Sequence, residues 1–432
     1  MSKRTFPIVT VTLEKIVGGG QTIATMEDGR KLFVWGGLPG ETVEVQLTRK
    51  KSKLAEGYVT KVITPSEHRI EALDPGSFMS TSPWQIMRFE DEQRAKAELI
   101  EEAFALSNVT LPNEIEVFTD GNEFGYRNKM EFSWYWTKET QSLDLAFFGR
   151  GTHSKITVEG SHLALPRINE TALAVRDLMR AYNVPGFSIK TLLLRANQRG
   201  DVSAQLYVKD EKFTTIQAVD IEALRVQGLE VIFSNPKSPA SVITKKLQTW
   251  GVMPLTDTLK DVEFSYATES FFQINLPVYE QALTDMQQYV DASKPTVDLY
   301  SGVGTIGLTI GTGDVTLVEI NEGAVREMKA NIDRLKLRNA QAVHAPSEKA
   351  LEFITGDVDV VVDPPRAGLD KAVVERLLET TPSRIIYLSC NPSTQARDVA
   401  LLEEKYKITA HRGYNFFPRT PHIENLVVLD LK

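Results

Sequence analysis

One cysteine in 432 residues, Cys390, cannot form an internal disulfide or supply the several thiolates of a cysteine-ligated zinc or iron–sulfur site. Apolar runs as long as about 18 residues are missing, and so is a charged-then-apolar leader, so neither a membrane span nor a secretory signal is expected and the cytoplasm is the expected compartment. Internal repeats and low-complexity stretches are also lacking. Positive charge is scarce. The formal net charge of -8 disfavours broad, non-specific adhesion to polyanions. The shortage is uneven, because residues 1–70 hold 11 Lys and Arg against 7 Asp and Glu, while the rest holds 38 against 50. Arg49-Lys50-Lys51-Ser52-Lys53 is the densest basic stretch, and Lys50 and Lys51 are candidate phosphate contacts. What is present is ordinary for globular protein, with 42% apolar and 25% charged residues and length for two or three domains. A monomer is expected.

Residues 1–64 alternate apolar and polar positions between glycine-rich turns and predict five short strands, the pattern of a small OB-type barrel. Residues 65–270 predict a central α+β domain, with strands at 129–136, 143–148, 191–195 and 202–208 and a helix at 166–182. A helix predicted at about 90–105 is a candidate to pack on the last domain. From residue 271 to 432 strands alternate with helices, the mark of a parallel, doubly wound, Rossmann-like sheet. Its strands are predicted at Thr296–Tyr300, Val315–Ile320, Ala340–His344, Val358–Asp363, Arg384–Ser389, Lys407–His411 and Glu424–Leu431.

Four strand ends carry chemistry, since ligands of open α/β sheets bind outside the carboxyl ends of strands. Ser301-Gly302-Val303-Gly304-Thr305-Ile306-Gly307 follows the first strand, where Gly302 and Gly304 let backbone approach a ligand and Gly307 allows close helix–strand packing. Glu319 ends the second strand, placed for ribose hydroxyls. This pair suits NAD as well as other nucleosides. Asp363-Pro364-Pro365-Arg366 makes a rigid projecting turn after the fourth strand, and Cys390 follows the fifth in Ser389-Cys390-Asn391-Pro392. A thiol there can reach a ligand. The helix beginning near Ser393-Thr394 is expected to lower its pKa.

The Asp-Pro-Pro-Arg turn, the Ser-Cys-Asn-Pro turn and Thr420-Pro421-His422-Ile423-Glu424, in this order, resemble the RNA uracil-5-methyltransferase family. The glycine run 18–20, Phe33-Val34-Trp35-Gly36-Gly37-Leu38-Pro39-Gly40-Glu41 and the basic stretch resemble the TRAM domain found on RNA-modifying enzymes. The resemblance covers almost the whole chain. It implies a class I methyltransferase domain using S-adenosyl-L-methionine, with Cys390 adding to C6 of uracil and Glu424 removing the C5 proton. It also implies that Gln273, Tyr300, Gly302, Glu319 and Asp363 hold the cofactor, and that Asp363, Arg366, Arg127 and Lys129 meet the RNA. His422 is a second candidate base by chemistry. The implied partner is RNA, a 23S ribosomal uridine ahead of uridine 54 of transfer RNA.

Two features depart from the family pattern. Many members hold a four-cysteine iron–sulfur cluster in the region where this chain has Asp74 to Gln85 without a cysteine, so no iron–sulfur cluster and no metal are expected. The acidic residue often found beside the adenine has only Glu348 as a counterpart. Two other classes stay open at this point. A nicotinamide enzyme would explain Gly302 to Gly307 with Glu319, and a non-catalytic RNA-binding protein would explain the N-terminal segment.

Overall fold

The structure, a computed structural model, describes residues 6–150, 154–213 and 216–432; the expected barrel's residues 1–5 lie outside the described residues. Its largest element is an eight-stranded sheet in the order Ala340–His344, Val315–Glu319, Thr296–Leu299, Asp359–Val362, Arg384–Ser389, Glu424–Leu431, Tyr406–Tyr414 and Val117–Phe118. The first five strands run parallel and Glu424–Leu431 is antiparallel to Arg384–Ser389. Strands such as Asp359-Val360-Val361-Val362 are buried along their whole length, which is why they read as unbroken apolar runs. Helices cover both faces. Asn321 and Asp370 cap two of them with their side chains, accepting from the Ala324 and Ala372 amides at 3.1 and 2.8 Å.

The predicted strands agree with those observed to within a residue or two, except that Tyr406–Tyr414 extends three residues beyond the predicted end. Thr296–Leu299 stops before Tyr300 because Tyr300 turns into the left-handed region at φ 64°. Besides Val117–Phe118, two segments earlier in the chain than 271 belong to this core. Ile100, Ala103 and Phe104 of the helix Phe89–Leu106 pack with Val427 and Leu429. Leu255, Leu259, Phe264 and Tyr266 of the hairpin Leu255–Leu259/Val262–Tyr266 pack with Tyr279 and Ile306.

The central sheet has seven strands, ordered Lys155–Val158, Ser142–Phe148, Lys129–Thr137, Ile189–Ala196, Val202–Val208, Gly228–Phe233 and Lys245–Gly251. The helix Pro166–Ala181 covers one face. The N-terminal sheet has six strands rather than the predicted five, because Lys15–Ile16 adds a two-residue rung. Ladder pairing does not close between its end strands among the described residues, and the sheet curls around Val11, Ala24, Leu32, Val34, Val43, Val45 and Ala55.

The N-terminal sheet docks tightly. Trp84 Nε1 donates to the Gly20 carbonyl at 3.0 Å, and Leu38 shares a core with Trp84, Ile86 and Met87. Gly20, at φ 85°, lies so close to Pro421 that a Cβ would overlap the proline ring. Among the described residues, no helix is long and apolar enough to cross a membrane.

Candidate active site

The backbone after Leu299 forms the first half of the site. Tyr300, Gly302 and Gly304 sit at φ 64°, 57° and 89°, and a Cβ on Gly302 would meet nothing within 4 Å, leaving a bare cradle. Gly307, by contrast, is pressed against Leu317 and Asp298, so helix and strand pack closely there. The Glu319 carboxylate accepts from the Gly302 and Asn321 amides at 3.0 and 2.7 Å. Each oxygen keeps a lone pair that a hydroxyl can fill. Gln273, Tyr300, Gly302 and Asp363 line one narrow cleft with Tyr279 and Thr305. Beneath it Asp298 accepts from the Gly307 amide at 2.8 Å while its Oδ1 is buried without a partner. Burial, with the Asp363 charge adding, pushes Asp298 up to about 8. Glu348 is exposed, whereas neighbouring Ser347 is buried against Tyr300.

The central domain holds the loop carrying Gln273. Arg195, fully buried, donates to the carbonyls of Ala267, Ser270 and Phe272 at 3.3, 2.7 and 2.8 Å, with Tyr266 and Phe272 rings beside its guanidinium. Asn128 Nδ2 donates to the Gln273 carbonyl at 2.9 Å. The half-buried Lys129, expected to meet RNA, donates its ammonium to the Glu269 carbonyl at 2.8 Å, and burial lowers it to about 8. Arg127 remains near the site, where its charge acts on His422.

The second half of the site is built from three turns. Asn391 Nδ2 and Thr394 Oγ1 donate to the Arg366 carbonyl at 2.8 and 3.2 Å, tying the Asp-Pro-Pro-Arg turn to the turn that carries Cys390. Ser389 pairs with Asn425 across antiparallel strands, which brings Glu424 to the same sheet edge as Cys390. Glu424 is buried, and desolvation with the Asp363 charge raises it well above the usual carboxylate range, against the pull of Arg366. Burial raises Asp363 to about 7. Arg366 Nη2 lies 3.3 Å from His422 Nδ1. Burial and the charges of Arg366, Arg127, Lys96 and Arg150 lower His422 to about 4, which leaves it neutral and a weak base at neutral pH.

The expectation of an acidified thiol is corrected here. Burial, Glu424 and Asp363 push Cys390 up to about 12, outweighing Arg366 and the helix Pro392–Leu402, whose first residue, proline, has no amide to donate. Because no other thiol exists, iodoacetamide uptake reports Cys390 alone. Alkylation of the free protein is expected to rise about tenfold per pH unit from about pH 7 to about pH 11, as the thiolate fraction does below a raised pKa. Glu424→Gln is expected to react faster only at the alkaline end, where Glu424 is ionised and its charge helps hold the proton on Cys390. A plateau reached by about pH 8 in the unaltered protein would contradict this electrostatic picture.

Cys390 and Arg366 open on a cavity of about 390 Å³, whose other walls are Pro421, His422, Arg150 and, from the N-terminal domain, Gly18, Gly19 and Trp35. Lys50 and Lys51 are exposed beyond it at the tip of the hairpin between Thr42–Lys50 and Leu54–Thr64, where Lys50 lies 4.0 Å from Asp28.

With this geometry in place, comparison with known proteins decides the family. The model of the tRNA (uracil-5-)-methyltransferase family matches residues 89–432. The chain belongs to this family. A TRAM domain is matched over residues 3–60. An uncharacterized RNA methyltransferase of Lactobacillus johnsonii is 29% identical, covering 93% of this chain and 94% of its own length. Another, from Enterococcus faecalis, is 28% identical over 98% and 97%. The crystal structure of Pyrococcus abyssi tRNA (uracil-54, C5)-methyltransferase in complex with S-adenosyl-L-homocysteine shares the fold, with a TM-score of 0.80 at 22% identity, covering 98% of this chain and 100% of that one.

Two further polar clusters brace the site in this member of the tRNA (uracil-5-)-methyltransferase family. Glu92 and Lys96 form a fully buried ion pair at 3.0 Å, which holds the segment leading to Glu424. Glu92 accepts from Asn415 Nδ2 and the Arg419 amide, and Lys96 donates to the Phe417 carbonyl at 3.1 Å. An i,i+4 acid–base pair usually marks a solvated helix face, so the sequence did not single it out. In the region without cluster cysteines, Gln85 Nε2 donates to Asp74 and Ser82 at 2.9 and 2.6 Å, and Asp74 meets His162 Nδ1 at 2.6 Å. A polar knot ties that loop. Among the described residues no group of three or more His, Cys, Asp or Glu is placed to hold a metal.

Proposed function

We propose that this protein methylates C5 of a uridine in RNA, using S-adenosyl-L-methionine and a covalent adduct between Cys390 and the base. The observation that carries the reading is the meeting of Cys390, Asp363 and Glu424 at the ends of neighbouring strands, beside a glycine-cradled cleft. Gln273, Tyr300, the Gly302 backbone and Glu319 fit a nucleoside cofactor, since the cradle is bare and the carboxylate oxygens keep accepting capacity. When bound, that cofactor supplies an electrophilic methyl group.

C5 of uracil is a poor nucleophile. Once the half-exposed Cys390 thiol has lost its proton to solvent, bonding of Sγ to C6 moves the C5=C6 electron pair onto C5 and the adjoining carbonyl, giving a nucleophilic carbon. After C5 has been alkylated, Glu424 takes the C5 proton, the double bond reforms and the C6–Sγ bond breaks. The raised affinity of Glu424 for a proton suits a base that works in a dry pocket. Arg366 supplies the compensating positive charge.

The N-terminal barrel does not separate ribosomal from transfer RNA as substrate, because the Pyrococcus abyssi fold spans 98% of this chain. A 23S ribosomal uridine is the first target to test and the transfer-RNA T-loop the second. Mass spectrometry of both RNA pools from a strain lacking the gene is expected to show one uridine without its 5-methyl group. Full 5-methyluridine in both pools would overturn the reading.

A further inference from the structure

Trp35 ends the strand Lys31–Trp35, in which Leu32 and Val34 face the barrel core while Lys31, Phe33 and Trp35 face outward. The ring thus lies outside the barrel's own core. It carries the Arg150 guanidinium 4.1 Å from its centroid, and Arg150 Nε donates to the Met79 carbonyl. Both residues line the cavity that contains Cys390. On the same wall Gly18 and Gly19 leave space open, since a Cβ on either would meet nothing within 4 Å. An aromatic ring from the N-terminal domain and an arginine plane from the central domain therefore share one chamber with the nucleophile.

Resting on the reading above, we propose that the seam between barrel and catalytic domain binds two adjoining nucleotides of unpaired RNA: the uridine at Cys390, and a neighbour whose base stacks on the Trp35–Arg150 pair. A base drawn out of a stack leaves its neighbour's face uncovered, and proteins replace that contact with aromatic rings or guanidinium planes. The cavity of about 390 Å³ falls within the range of small-ligand pockets, about 300–1,000 Å³. Arg150 and Arg366 place positive charge where the chain would pass, in a protein of net charge -8. The barrel is then a wall of the substrate site as well as a handle for RNA.

The probe is the RNA fragment around the uridine left unmethylated in the gene-deletion strain, carrying 5-fluorouridine there. Fluorine at C5 cannot leave as a proton, so the adduct is trapped. A second set carries an abasic residue at each neighbouring position in turn. Trp35→Ala is expected to slow adduct formation on intact RNA roughly tenfold at sub-saturating concentration, as expected for one lost stack. One abasic position should cost the unaltered protein as much, and Trp35→Ala should lose nothing further on that RNA. Trp35→Phe should restore most of the rate. Gly18→Leu, at an ordinary φ with open space before it, should block the adduct while S-adenosylhomocysteine binding and the unfolding midpoint stay unchanged. No loss with Trp35→Ala, or a loss additive with every abasic position, overturns the proposal. Absence of any adduct between unaltered protein and intact RNA overturns the underlying reading instead.

Discussion

Cys390→Ala is expected to lower methyl transfer by about ten-thousandfold or more, to the limit of detection, while S-adenosylhomocysteine binds as before. The size of the loss follows from the chemistry. Without the Sγ–C6 bond, C5 keeps the weak nucleophilicity of free uracil, and nothing else at the strand edge can add to C6: His422 is engaged with Arg366, and Asp363 and Glu424 are carboxyl groups, poor nucleophiles toward C6. The cofactor cleft is lined by other residues, so its affinity gives an independent check that the variant is folded. Cys390→Ser offers a second check, because it keeps volume and hydrogen bonding but not thiolate nucleophilicity. Turnover by either variant within about tenfold of the unaltered protein would exclude covalent addition by Cys390.

The doubly wound sheet was readable because its strands are buried on both faces and its connections are helical, which leaves apolar runs at regular distances. Val117–Phe118 and Lys15–Ile16 were not, since two residues carry no period. The strand-end residues of the site were legible for a related reason: topology alone carries Tyr300, Glu319, Asp363 and Cys390 to one edge. What surrounds them was not. Arg195, Glu92 and Lys96 are charged residues that local sequence assigns to solvent, and their burial depends on carbonyls and amides far along the chain. The acidity of Cys390 was misjudged because the helix start is its neighbour in sequence, while Glu424 and Asp363, which oppose it, are neighbours only in space.

The N-terminal barrel shows the same limit. Its alternating strands suggest a self-contained unit, and its basic stretch suggests a simple phosphate contact. The contacts of Gly20 with Pro421 and Trp84, and of Leu38 with Ile86 and Met87, also dock it on the rest of the chain, which local sequence does not reveal. Removing residues 1–64 would uncover that apolar seam and take away one wall of the chamber containing Cys390.

Glu424→Gln is expected to stall the reaction after addition, so that a covalent protein–RNA species accumulates and turnover falls by about a thousandfold or more. The carboxamide keeps the shape of the protonated acid, the form that burial and Asp363 favour, so the fold should tolerate the change. Addition itself should not suffer. The carboxamide resembles the neutral acid, so it leaves the charge around Cys390 at neutral pH little changed. Elimination, however, needs a group to accept the C5 proton, and glutamine cannot. Asp363, raised to about 7, is the alternative carboxyl group at this edge, so a slow residual release that increases with pH and vanishes in the Glu424→Gln, Asp363→Asn double variant is the expected pattern. On a denaturing gel the slow-migrating adduct should persist with ordinary uridine RNA and disappear when Cys390→Ala is combined with Glu424→Gln. Normal product release by Glu424→Gln, with no adduct, would remove Glu424 from the role of base and pass it to another group at the same strand edge.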